Sequence, residues 1–125
     1  MWRDLVWVGL AGAAGTLCRY GLSNLVYKVA GGRFPWATLA VNLAGCFFFG
    51  LIWALAEERT LITGQTRLIL LAGFMGAFTT FSTLAFETSV MVQSGQWLPA
   101  LAYVLLQNVL GVLAVFAGFY IVRLS

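Results

Sequence analysis

Four stretches, residues 5–26, 35–56, 68–92 and 97–122, are each apolar enough to cross a bilayer, and little chain is left between them. A spanning helix needs about 20 mostly apolar residues. With 62% hydrophobic and 9% charged residues, the 125-residue chain lies far outside the composition of a water-soluble domain. The connections, residues 27–34, 57–67 and 93–96, leave no room for a second domain. Inside hydrocarbon every backbone N–H and C=O must be satisfied by the protein itself, so such spans fold as helices. The expected fold is an all-α integral membrane protein, one four-helix domain over residues 1–125. Arg3 ahead of an apolar run and the small residues Ala11 to Ala14 have some character of a signal peptide. Apolar character continues past them, which reads as an uncleaved first helix.

The third span is interrupted. Gly76, Ala77, Phe78, Thr79, Thr80, Phe81, Ser82 and Thr83 place four hydroxyls and several small residues in its middle. A bilayer core offers such groups no hydrogen bonds, so they must face protein, water or an ion. Polar, irregular backbone at membrane depth is found where it lines a cavity or a pathway. This segment is therefore the first place to look for a permeation or binding site.

Other polar residues fall within the spans, where they are costly without a role. Arg19 shares a face of the first helix with Gly12, Gly15 and Thr16. It either reaches out to interfacial water or makes an electropositive vestibule for an anion. Thr38 and Asn42 lie four apart on the second helix, and Tyr103 and Gln107 four apart on the fourth. The Asn42 amide either donates to an anion or makes an interhelical hydrogen bond. Glu87, the one acid placed inside a span, reads as a solvated group near the membrane surface. Phe81 stands apart from the other phenylalanines because hydroxyl residues flank it. Its ring edge is positive and could partly compensate an anion for lost water.

Charge orients the chain only weakly. Arg3, Arg59, Arg67 and Arg123 fall on one side and Lys28 and Arg33 on the other, while Asp4, Glu57 and Glu58 share the richer side. Either the N-terminus is cytoplasmic, or the chain inserts both ways and pairs with an antiparallel copy. Four short helices are too few to enclose a pore alone, which favours assembly. No basic, aromatic-interleaved patch suggests nucleic acid. The chain has no histidine, Cys18 and Cys46 sit in spans as small hydrophobes, and no nucleophile stands beside a base, so an enzyme is not expected.

Taken in order, Gly12 to Gly15 with Arg19 and Tyr20, then Thr38 to Phe47 with its Val-Asn-x-x-Gly core, then Gly73 to Gly76 with Thr79 to Thr83, resemble the Fluc/CrcB fluoride channels over essentially the whole chain. The resemblance implies an antiparallel, dual-topology homodimer in the cell (inner or plasma) membrane, with a break in helix 3. It also implies passive, fluoride-selective export that protects against fluoride toxicity. Asn42, Phe81 and Tyr103 match pore positions of the family. Thr38, Ser82 and Thr83 would be hydroxyl donors, Gln107 continues the polar face after Tyr103, and Arg19 matches the vestibule arginine. Glu87 matches the acid near the opposite end of helix 3. The backbone carbonyls of Gly76 and Thr79 match those that hold a structural sodium ion at the dimer interface. Expected partners are fluoride, sodium, membrane lipid and a second copy of the chain, or a paralogue, since some members pair different subunits. Two positions depart from the pattern: Leu84 stands where a second phenylalanine is usual, and Gln107 where a serine is frequent. Outside the resemblance, an exporter of small cations or drugs fits four short helices and balanced charge. Such an exporter, however, needs an acid deep in helix 1, where this chain has Arg19. A non-transporting assembly subunit would leave the polar segment of the third span unexplained.

Overall fold

A computed structural model describes all 125 residues. The chain forms α1 (Trp2–Ala30), α2 (Trp36–Glu57), α3 (residues 64–78), α4 (Phe81–Gln93) and α5 (Trp97–Leu124). Four crossings result, because α3 and α4 together make the third span, Gly64–Gln93. The protein is a multi-pass membrane protein with no strands.

The helices overrun the apolar stretches at their wet ends. Trp2, Arg3, Asp4 and Lys28 all continue α1, because polar residues tolerate helix well once outside hydrocarbon. The third span begins at Gly64 rather than residue 68, capped by Thr63, whose Oγ1 accepts the Thr66 N–H. Within α3, residues Ile69–Met75 run in wide π-type turns, a local underwinding often found near functional sites. At Thr79 and Thr80 the helix stops, both residues being extended. Thr80 then caps α4, its Oγ1 accepting the Thr83 N–H at 3.2 Å.

The break changes neighbours as well as direction. Residues 69–78 pack on α1, whereas α4 packs on α5. Gly15 sits so close to the Phe74 carbonyl that a methyl group there would overlap it, and this contact brings Arg19, one turn further along α1, beside the break. The longest seam joins α2 and α5. Gly50 faces the Val115 carbonyl and Gly118 faces the Phe47 carbonyl and the Leu51 N–H, without space for a Cβ at either.

Polar contacts gather both termini and the 58–63 connection at one membrane face. Gln65 Nε2 donates to Asp4 Oδ1 at 2.5 Å, Arg67 pairs with Glu57, and Arg59 donates to the Val122 carbonyl at 2.8 Å. Arg123 grips Glu58 through Nε and Nη2, a hydrogen-bonded pair that holds the Glu58 carboxyl below its ordinary range. Lys28 and Arg33 stand at the opposite face. Only 19 of the 125 residues are buried, and long apolar side chains such as Leu17, Phe86, Leu98 and Phe116 face outward, as a bilayer or another copy requires.

Gly50→Val is expected to force α2 and α5 apart, because the group it strikes is a backbone carbonyl that cannot rotate away. The expected loss is about 2–3 kcal/mol, read from reversible unfolding in mixed detergent micelles.

Candidate functional site: a broken helix between two grooves

Breaking a helix at membrane depth frees backbone groups that must find partners. In a continuous helix the Thr80 N–H would reach the Gly76 carbonyl. It goes instead to Asn42 Oδ1 at 2.8 Å, and Asn42 Nδ2 returns a hydrogen bond to the Thr80 carbonyl at 3.1 Å. One side-chain amide thus pairs with an extended residue as a neighbouring strand would. The Thr83 N–H, which would reach the Thr79 carbonyl, is diverted to Thr80 Oγ1. The carbonyls of Gly76 and Thr79 are consequently released from helical pairing. Gly76 lies on the exposed surface of the chain.

Asn42 is linked onward. Its Nδ2 also donates to Gln107 Oε1 at 3.1 Å, so both amide hydrogens are engaged. Gln107 is buried on α5, and its own Nε2 is shut off from water. One turn earlier Tyr103 is completely buried and donates to Glu87 Oε2 at 2.5 Å. Thr38 Oγ1 donates to Glu87 Oε1 at 2.8 Å. The reading of Glu87 as simply solvated is therefore corrected. α4 turns it toward α2 and α5, where two hydroxyls hold its carboxyl, and it is only partly exposed.

Two grooves flank the break. One, of about 250 Å³, is lined by Thr16, Arg19, Ser23, Thr38, Thr80 and Thr83. It is a row of hydroxyls beneath one guanidinium, an arrangement suited to an anion that must be partly dehydrated. The other, of about 280 Å³, is lined by Asn42, Thr79, Thr80, Phe81, Leu84 and Gln107 among others. Thr80 borders both. The N-terminus of α4 also opens here, so the positive end of a helix dipole lies within the membrane.

The residues singled out in the sequence thus fall around one break, though in different surroundings. Asn42 and Gln107 meet it from α2 and α5, and Thr38 and Tyr103 meet on Glu87. Thr83 and Arg19 share the hydroxyl groove. Phe81 borders the other groove with 81% of its surface exposed, so nothing in its own chain covers the ring. Ser82 is exposed and lines neither groove, its Oγ lying 3.5 Å from Thr80 Oγ1. Leu84, where the family usually has phenylalanine, is buried in a cluster with Leu39, Met91, Ala100 and Tyr103. It packs the interior of the chain besides bordering the groove. Thr80 was not singled out as a site residue, although a threonine three residues before Thr83 is a capping signal. The role of Glu87 as a hub carried no local sign in the sequence.

Comparison with known proteins decides the family. Residues 6–119 match the family described as CrcB-like protein, Camphor Resistance (CrcB). The chain belongs to this family. It is 59% identical over 121 residues to the fluoride-specific ion channel FluC of Nitrosococcus oceani, covering 97% of each chain. It is 51% identical over 124 residues to that of Solidesulfovibrio magneticus and 45% identical over 124 residues to that of Desulforapulum autotrophicum, in both cases over 99% of each chain.

Replacing Asn42 by alanine would leave both polar groups of Thr80 and the Gln107 carbonyl unpaired. Roughly ten- to a hundredfold faster amide exchange is expected at Thr80, measured by hydrogen–deuterium exchange, with α2 and α5 protected as before.

Proposed function

We propose that this CrcB-family chain is a fluoride-selective channel through which fluoride leaves the cell passively, limiting its toxicity. The observation that carries this reading is the helix break itself: hydroxyls, amides and a helix N-terminus converge at membrane depth between two grooves, beneath Arg19. Relatives named as fluoride-specific ion channels, matched over nearly their full length, support it. Fluoride is small and strongly hydrated, so a path for it must replace water with donors held at close range. Thr38, Ser82, Thr83, Tyr103, Asn42 and Gln107 supply the donors of this path or hold its wall. The positive edge of Phe81 helps without binding so tightly that the ion stalls.

The working unit in this reading is an antiparallel homodimer. Both grooves lie open on the protomer and Phe81 is uncovered, so a second copy is needed to close the path. The small charge bias between the two faces permits insertion either way. The carbonyls of Gly76 and Thr79, released by the break, are the hard oxygen ligands that suit a sodium ion shared between copies. When bound, such an ion supplies fixed positive charge beside the anion path. The chain's part is to present those carbonyls, which Asn42 and the Thr80 hydroxyl do by taking the N–H groups that would otherwise occupy them.

Liposomes holding the purified protein should release fluoride rapidly and retain chloride, as followed with ion-selective electrodes. Phe81→Ile should slow fluoride release by about tenfold or more while the protein still elutes as a dimer. Wild-type rates in that variant would remove Phe81 from the path, and no release of either ion from folded dimers would remove the channel reading. Separately, exchanging sodium for a large organic cation should shift the dimer toward monomer in light scattering, and readdition of sodium should reverse the shift.

A further inference from the structure

α2 closes tightly on α5 but touches the first half of the third span only lightly. A groove of about 480 Å³ opens on that looser side, lined by Phe49, Trp53, Arg67, Leu68, Leu71 and Ala72. It is separate from the break and shares only Phe49 with the groove beside Phe81. From Glu57 to Phe49 α2 descends about 12 Å, most of the depth of one hydrocarbon leaflet. The slot is apolar along that depth, and its charge is confined to one end.

Both signs of charge meet at this mouth. Arg67 donates through Nη1 to Glu57 Oε1, and its guanidinium carbon lies 5.0 Å from the centre of the Trp53 ring. Stacking on the indole leaves the other guanidinium N–H groups free along the edge, and Glu57 Oε2 is free as well. Both side chains are partly exposed, as groups at a membrane surface are. An arginine edge suits a phosphate, and a carboxylate oxygen suits a primary ammonium. A phosphoethanolamine headgroup carries that phosphate and that ammonium two carbons apart, above acyl chains that run the way the groove runs. A choline headgroup has no N–H to give Glu57. A glycerol headgroup sets its phosphate beside the carboxylate with no ammonium to offset it. An inverted second copy also fits the mouth poorly: it would bring the face of Lys28 and Arg33 to this level, which offers Arg67 no acid.

We propose that the groove between α2 and α3 binds one phospholipid whose headgroup carries a phosphate and a primary amine. The phosphate sits on the free edge of Arg67 and the ammonium on Glu57 Oε2, so the existing pair is extended rather than broken. One acyl chain lies against Phe49, Leu71 and Ala72. Because Phe49 also borders the groove of Phe81, the bound chain backs the wall of that second groove. The site does not depend on which ion the protein passes.

Native mass spectrometry of the full chain in detergent tests this, with separate titrations of palmitoyl-oleoyl phosphatidylethanolamine, phosphatidylglycerol and phosphatidylcholine. One saturable ethanolamine lipid per chain is expected, held at least about fivefold more tightly than the other two. Glu57→Gln should lower its affinity to that of the choline lipid. Ala72→Trp fills the groove from an exposed position and leaves the charged pair alone. It should abolish the binding while the melting temperature stays within about 3 °C. Should that variant unfold, the wild-type protein and an ethanolamine lipid with a diazirine on its acyl chain decide the matter. Labels on Phe49 or residues 68–72 sustain the site, and labels elsewhere overturn it. Equal affinities for the three lipids, or ethanolamine binding that survives Ala72→Trp in the folded protein, overturn the proposal. A lipid-free wild-type dimer that Ala72→Trp splits into monomers overturns it too, because a second copy then fills the groove.

Discussion

The structure depends on how Asn42 pairs with Thr80. A helix interrupted in the middle of a bilayer has no water to satisfy its loose ends. Here a single side-chain amide supplies both an acceptor for the Thr80 N–H and a donor for its carbonyl. The interruption is thereby made stable enough to keep. It has three consequences: carbonyls of the interrupted turn, those of Gly76 and Thr79 among them, are freed, a helix N-terminus opens, and the third span can pack on α1 before the break and on α5 after it.

The glycines make that pairing geometrically accessible. Gly45 lies one turn beyond Asn42 on α2, and a methyl group there would overlap the Thr79 side chain. Asn42 reaches the backbone of Thr80 because α2 approaches the break this closely. Gly50 and Gly118 do the same for α2 and α5 further along, which brings Gln107 within reach of Asn42. The polar links at the Gly64 end of the third span, from Asp4, Glu57 and Glu58 to Gln65, Arg67 and Arg123, tie the helix ends together outside the hydrocarbon. Those pairs are exposed and individually weak, so the seams between helices do most of the holding.

Much of this was legible in the sequence because the bilayer leaves so few solutions. The four crossings followed from apolar length, and the location of the irregular segment from hydroxyls where hydrocarbon should be. Thr38 with Asn42 and Tyr103 with Gln107 were readable as pairs because helical spacing puts residues four apart on one face. What could not be read were contacts set by the packing of distant elements. Glu87 looked like a surface acid because nothing nearby in sequence marks it; its partners come from residues 49 and 16 positions away. The wide turns of Ile69–Met75 have no proline or polar residue to announce them, and the helix is underwound where Gly73 meets Val8 and Ala11. Asn42 was noticed as an intramembrane amide with two readings open, and the choice between them needed the position of Thr80.

The depth of the break gives the proposed pairing a geometric basis. Residues 79 and 80 fall at the middle of the Gly64–Gln93 span, so the released carbonyls lie near mid-membrane. Two copies inserted in opposite senses are related by a twofold axis in the plane of the membrane, and that axis must pass through mid-depth. A group near either end of the span would have its symmetry mate at the far surface, and the two could never meet. The break is the one irregular point of the span that such an axis can bring face to face with its copy. Gly76, exposed and without a side chain, allows that approach. In the proposed pairing, each copy would bring its released carbonyls and its open grooves to the same depth as those of its inverted partner.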